Sequence, residues 1–183
     1  MHAPIGIIGL KVAAAEQLYH TLDPLPFRER DIDSEAEEYI VSSARELPWQ
    51  AGIRIQIHMP ETEMAREQAR ALAPAIQGYF RYRAEIVAGD LRELFRTGRR
   101  SLIVGLAVLA GCLIAVQFLS RLLPDGPLGR FVAEGLTILG WVANWRPIEI
   151  FLYDWWPLRR RRMLLERLSS ASIEIMPEAV ATT

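Results

Sequence analysis

Four charged side chains lie in or beside an apolar run in the C-terminal half of the chain. The run reads FVAEGLTILGWVANWRPIEIFLYDWW, and its charged residues are Glu134, Arg146, Glu149 and Asp154. Arg146 and Glu149 are three residues apart, so their side chains can pair on a helix. Charges in such surroundings either pair with one another or line a pathway for ions. Two interpretations follow: a salt-bridged helix contact, and an ion channel or transporter subunit that uses these acids.

The sequence contains no recognisable catalytic or metal-binding pattern. The three histidines are far apart, and Cys112 is the single cysteine and lies in an apolar run. A disulfide within the chain and a multi-cysteine metal site are therefore excluded. There is neither a phosphate-binding glycine loop nor a serine or zinc hydrolase motif. We expect a protein that is not an enzyme, with no catalytic residue, no metal ligand and no cofactor.

Two membrane spans are predicted in the second half of the chain. Ser101 to Ser120 carry no charge, and about 20 helical residues cross a hydrocarbon core of about 30 Å. Pro124, Asp125, Gly126 and Pro127 predict a turn, and the apolar run that follows spans if its terminal charges reach the interface. We assign residues 101–123 to the first span, 124–130 to an external turn and 131–150 to the second span.

The arginines predict the orientation of this hairpin. Arg92, Arg96, Arg99 and Arg100 precede the first span, Arg159 to Arg162 follow the second, and the turn region has only Arg121 and Arg130. Positively charged flanks stay in the cytoplasm. We therefore expect a multi-pass protein of the cytoplasmic membrane with both termini inside.

An aromatic and basic segment follows the second span. It is predicted to anchor the chain at the membrane interface, where aromatic rings and anionic headgroups favour it. The anchor residues are Trp145, Tyr153, Trp155, Trp156, Arg159, Arg160, Arg161 and Arg162. Pro147 is expected to kink the helix there. Close helix approach is predicted at Gly105, Gly111, Gly135 and Gly140.

A small cytoplasmic α/β domain is predicted over residues 1–60. Ser34 and Glu37 form a capping-box pattern at the start of a helix that ends near Pro48. Asp31, Asp33 and Glu35 are the acids that an enzyme could use, and they are interpreted in preference as the solvated start of this helix. Strict alternation then predicts a strand with one buried and one wet face. Its apolar residues are Ile53, Ile55, Ile57 and Met59.

The sequence patterns of the remaining segments are weaker. Residues 1–20 are expected to be a weak amphipathic helix or a frayed terminus, and residues 27–32 and 172–176 are further strand candidates. Residues 61–100 predict an amphipathic basic stalk helix, with a break or a new start at Pro74. The arginines of this stalk are attributed to a helix beside a bilayer in preference to nucleic-acid binding. Residues 151–183 complete the chain as interfacial segment and cytoplasmic tail.

So few strands leave sheet edges open to pairing. We therefore predict a homo-oligomer that associates through the strand of Ile53, Ile55, Ile57 and Met59, or through the stalk. The chain is then an α+β membrane protein: a transmembrane helical hairpin with a small cytoplasmic α/β domain on a helical stalk. The predicted function is an oligomeric scaffold or adaptor at the membrane surface. Its partners would be anionic lipid headgroups, further copies of the chain and, in an adaptor, another protein.

Three stretches carry a resemblance to a group of bacterial proteins. They are PFRERDIDSEAEEYIVSSAREL, YFRYRAEIVAGDLRELFRTGRRSLIVGLAVL and WRPIEIFLYDWWPLRRRR. Together, over residues 26–162, they resemble uncharacterised small inner-membrane proteins with two transmembrane helices. The resemblance implies a bacterial inner-membrane setting, and it implies no activity or site residue.

Overall fold

The structure is a computed structural model that describes residues 5–19, 32–122 and 126–177. The chain divides into two compact units. The first combines Met1–Val87 with Arg160–Thr183, and the second is Ala88–Arg159. The fold combines helices with a small parallel sheet, and one of its helices is long and apolar.

A three-stranded parallel sheet forms the centre of the first unit. Its strands are β1 (Ile5–Lys11), β2 (Gly52–Met59) and β3 (Ser172–Pro177), in the order β1-β2-β3. The strands predicted around residues 53–59 and 172–176 are confirmed. The helix or frayed terminus predicted for residues 1–20 is wrong for the IGIIGLK segment, which pairs with β2 from Gly52 to His58, while residues 1–4 and 20 lie outside the described residues. Its glycines hid the alternation that marks a strand.

One face of the sheet is an apolar layer that continues across all three strands. Ile8, Ile55 and Ile173 are paired in one row, and Leu10, Ile57 and Ile175 form the next. Ile55 and Ile57 are fully buried. On the opposite face of β2, the side chains of Arg54, Gln56 and His58 are half-buried, so this face is drier than the sequence predicts.

Helix α1 (Ser34–Glu46) confirms the predicted helix but not its predicted cap. The N-cap is Asp33, whose Oδ1 accepts the backbone N–H of Glu35 at 3.0 Å, so Ser34 is already the first helical residue. Glu37 does not return to the helix start. Its carboxylate accepts hydrogen bonds from Tyr79 at 2.6 Å and from Arg83 at 2.9 Å, which fastens α1 to the next long helix.

After the short helix α2 (Glu61–Met64), helix α3 runs without interruption over Glu67–Leu122. The break predicted at Pro74 is wrong. Pro74 lies on the exposed side of the helix, where the carbonyl that loses its N–H partner can bind water. Within the first unit, α3 buries a stripe at helical spacing that packs the core: Leu72, Ile76, Phe80, Ala84 and Val87.

The second unit contains residues 88–122 of α3 and a broken helical path that returns. The path consists of α4 (Pro127–Val142), α5 (Trp145–Glu149), a π-helical segment (Ile150–Asp154) and the start of α6 (Trp155–Ser169). In the described part of the chain, α3 is the one helix long and apolar enough to cross a membrane. The segment predicted as the second span, 131–150, is not a single helix.

Some predicted features fall outside the described residues. Of the strand candidate at 27–32, only Ile32 is described, and it forms an isolated antiparallel bridge with Tyr19. Asp31, Pro124 and Asp125 also lie outside the described residues.

Burial raises the pKa of Tyr19 to about 12 from the usual 10.0. The stability that its neutral phenol provides is present below pH 10 and declines as the pH rises toward 12.

The sheet core gives a stability prediction. Replacing the fully buried Ile57 by Ala leaves a cavity in the central strand and is expected to lower the free energy of unfolding by about 2–5 kcal/mol. Tyr82→Ala, at a side chain that is 58% exposed in the same unit, should change it by less than about 0.5 kcal/mol. Chemical unfolding of the full chain in detergent, followed by circular dichroism, measures both. Equal losses would contradict the described core.

Candidate membrane-interface site

The returning path breaks at Asn144, the one buried polar residue among those described. Its backbone N–H bonds to the Trp141 carbonyl instead of the Gly140 carbonyl four residues back. The side-chain Nδ2 takes that place and donates to the Gly140 carbonyl at 2.9 Å. The same nitrogen donates to the Gly105 carbonyl of α3 at 3.1 Å. One side-chain amide therefore supplies the hydrogen bond that the Gly140 carbonyl lacks in the broken turn, and it also links this turn to α3.

Glycines allow α3 and the returning path to approach closely. A Cβ atom on Gly105 would lie 2.7 Å from Asn144 Oδ1 and 2.9 Å from the Ala143 carbonyl oxygen, and one on Gly140 would lie 2.8 Å from Leu109. Gly111 and Gly135, the other two predicted contact positions, face open space. Two of the four predicted glycines thus serve close packing.

Further along α3, Gly98 extends this contact toward the aromatic segment. A Cβ there would lie 2.8 Å from Ile150, and the rings of Phe95 and Phe151 stack with centroids 6.1 Å apart. Ile150 is fully buried. Successive contacts thus pair α3 with the returning path in reverse order, from Gly140 through Asn144 to Ile150.

Arg146 pairs with two of the three predicted acids. Its Nη1 lies 2.9 Å from Glu149 Oε2 and 3.1 Å from Asp154 Oδ2. The first contact has the predicted i,i+3 spacing, and the second reaches across the π-helical segment. Glu134 lies apart, exposed on α4, and forms no ion pair within the described residues. The structure therefore brings three of the four predicted charges together.

The π-helical segment carries this ion-pair network. A π turn is rare and shifts each backbone hydrogen bond by one residue. Here the Phe151 carbonyl accepts the indole N–H of Trp155 at 2.9 Å. The break lies at Asn144 and not at the predicted Pro147, which sits in the first turn of α5 where its missing N–H is not needed.

Around the network, the predicted anchor residues line exposed surface. Trp145, Tyr153 and Trp156 are 70%, 69% and 53% exposed. Trp155 is half-buried, packs edge-on against Trp156 and lies under the Arg159 guanidinium at 5.6 Å. In the arginine block, Arg159, Arg160 and Arg161 are exposed, and Arg162 pairs with Glu166 at 2.8 Å. The predicted self-association residues on β2 belong to the other unit and are buried in its core.

Sequence reasoning missed Asn144 and Gly98. Asn144 is a lone amide inside the apolar run GWVANW, and a buried amide favours partners for its polar atoms. Its Nδ2 has two, whereas its Oδ1 has none within the described residues. Gly98 stands among arginines, and the sequence pattern there predicts only a solvated stalk. Among the described residues, no group of three or more His, Cys, Asp or Glu side chains could hold a metal ion.

The chain matches no family model, no curated protein and no solved structure.

The glycine contacts can be tested with a matched pair of substitutions. Gly105→Ala should destabilise the second unit by about 1–3 kcal/mol, because the new methyl group meets a backbone carbonyl that cannot move aside. Gly111→Ala lies in the same helix and meets open space, so it should be neutral or stabilise by up to about 1 kcal/mol. Thermal unfolding in lipid discs measures both. Similar effects of the two changes would contradict the Asn144 contact.

Proposed function

We propose that this protein is an inner-membrane scaffold or adaptor that presents a small cytoplasmic α/β unit at the membrane surface of a bacterium. A transmembrane hairpin anchors it, formed by residues 101–122 of α3 and by the path from Pro127 to Glu149. The first unit, which carries the parallel sheet, is the part that would contact other molecules.

The observation that carries the proposal is the exposed apolar surface of α3. Large aliphatic and aromatic side chains point outward around the helix, among them Ile103 at 68%, Val104 at 62% and Phe118 at 61% exposure. Soluble monomers rarely expose contiguous apolar patches of more than a few hundred Å². A lipid environment removes the unfavourable contact of this apolar surface with water. The α4 surface has the same character at Phe131 and Ile138.

The sheet supports an even number of membrane crossings. The chain leaves the first unit in α3 after Val87 and rejoins it at Arg160, and β3 pairs with β2 in that unit. If α3 crosses the membrane, the chain must cross back before it can form β3. The α4–α5 path is the segment available for this return. At its break the Gly140 carbonyl accepts a hydrogen bond from the Asn144 side chain, which suits non-helical backbone at membrane depth.

The anchor residues support a cytoplasmic location of the first unit. Exposed Trp145, Tyr153 and Trp156 suit the interface, and the arginine block suits anionic headgroups and the cytoplasmic side. The Arg146 network would lie at this boundary. There Arg146 would pair with both acids and offset one of their two negative charges, which lowers the cost of holding them beside lipid.

The topology is tested by single-cysteine labelling. Cys112→Ala gives a chain without cysteine, to which Gln50→Cys, Gly126→Cys or Ser170→Cys is added. In intact bacterial spheroplasts, a membrane-impermeant maleimide should label the Gly126 variant, and it should label the other two only after permeabilisation. Labelling of all three on the same side would contradict the hairpin.

Self-association is tested on the sheet edge. The buried Ile55 and Ile57 are unsuitable positions for this test, because a charged side chain there would unfold the core. Ile5 and Ile7 of the edge strand β1 are 55% and 57% exposed, although parallel sheets are normally covered on both faces. Changing both to Asp should reduce the mass measured in lipid discs to that of a monomer, whereas Tyr82→Asp should leave it unchanged. If the wild-type chain already has the mass of a monomer in lipid discs, the predicted homo-oligomer is refuted.

The alternative is a channel or transporter subunit that uses the acids of the second span. Against it, Glu149 and Asp154 are both held by Arg146, and exposed Glu134 alone would provide a weak cation site. We expect cation flux through purified protein in liposomes to equal that of protein-free vesicles. Flux above this background that is lost in Glu134→Gln would favour the channel over the scaffold.

A further inference from the structure

A cavity of about 300 Å³ lies where the three strands begin, at the edge of the first unit. It is lined by residues at or next to the start of each strand and by the end of α6. The polar ones are Arg54, Arg167, Ser170 and Ser172. Its volume lies at the lower end of the range for small-molecule sites.

Arg167 is held rigidly beside this cavity. Its Nη2 donates to the carbonyls of Pro48 and Ala51 at 3.1 and 2.8 Å. Its guanidinium carbon lies 4.7 Å from the centre of the Trp49 ring. The other terminal nitrogen, Nη1, is buried and has no hydrogen-bond partner within the described residues. A buried donor without an acceptor is unfavourable.

Arg54 supplies a second guanidinium group to the same cavity. Its Nε lies 3.2 Å from Glu174 Oε1, and this is the one ion pair that Arg54 forms in the described part of the chain. Gln56 also approaches Glu174, at 3.5 Å. Glu174 thus balances the charge of Arg54. Arg167 is bonded to backbone carbonyls and forms no ion pair within the described residues, so its positive charge remains unbalanced at the cavity.

We propose that this cavity binds a phosphate group. A tetrahedral oxyanion would balance the surplus charge and accept hydrogen bonds from Arg54 and Arg167, since planar guanidinium donors suit phosphate oxygens. The hydroxyl groups of Ser170 and Ser172 add neutral donors at the rim. The phosphate belongs either to a soluble phosphate compound or to a lipid with a phosphomonoester headgroup. The site does not depend on the scaffold function.

The test uses the full chain in phosphatidylcholine discs, with inorganic phosphate as the probe. Thermal unfolding and titration calorimetry are compared in sodium phosphate and in sodium chloride of equal ionic strength. Phosphate should stabilise the wild type in a saturable manner. Arg54→Gln should bind phosphate at least about tenfold more weakly, because one charge-assisted contact is lost, and Arg54→Lys should bind with intermediate affinity. Arg81→Gln, an exposed arginine of the same unit outside the cavity, should bind like wild type.

Discs that contain phosphatidic acid distinguish the two sources. If this lipid removes the response to inorganic phosphate in wild type, and does so less in Arg54→Gln, the ligand is a headgroup. If the response persists unchanged, the ligand is a soluble phosphate compound. The proposal is overturned if phosphate stabilises no more than chloride, or if Arg54→Gln and Arg81→Gln weaken binding equally. Circular dichroism of each variant confirms that its fold is retained.

Discussion

The parallel pairing of β2 with β3 is the constraint on which the rest of the structure depends. Parallel strands need a crossover connection between them, and here that connection contains every helix from α2 to α6. The first unit is therefore built from two distant parts of the chain, and the second unit is an insertion between them. Whatever the inserted helices do, they must begin and end where the sheet can still close.

Within the insertion, a single amide replaces regular helical bonding. Asn144 uses its side chain to satisfy the Gly140 carbonyl and to contact α3 at Gly105. This allows the returning path to change direction before the aromatic segment without an unpaired carbonyl at Gly140. The π turn that follows brings Asp154 to Arg146, so that the arginine pairs with two acids at once. The break and the charge network are thus consecutive parts of one local arrangement.

The sequence predicts those elements whose signals are local. Strict alternation identified β2, since each side chain reports its own face, and the uncharged run identified the apolar part of α3. In β1, by contrast, two glycines obscure the alternation, and its strand character comes from pairing with β2, which no local pattern encodes. The prediction of a break at Pro74 fails for a related reason: the cost of a proline depends on whether the freed carbonyl meets water, and that depends on which side of α3 is packed.

The candidate sites show the same limit. The Arg146–Glu149 pair follows from helical spacing, but its extension to Asp154 requires the π turn. The cavity beside Arg54 and Arg167 joins residues from three strands and α6, so neither arginine is distinguishable in sequence from others on the surface. Of the glycines at helix contacts, Gly105 and Gly111 look alike in sequence, and only the position of Asn144 separates their roles.

The wide separation of β2 and β3 also affects how the protein is made. While a ribosome synthesises the chain, β2 is complete long before β3 emerges, because the apolar segment between them is synthesised first. During that interval the β2 edge that later receives β3 lacks its partner, and such edges are prone to mispairing between chains. Contacts this distant in sequence also form slowly. That edge of the sheet is therefore complete only when Ile173 and Ile175 take their places beside Ile55 and Ile57.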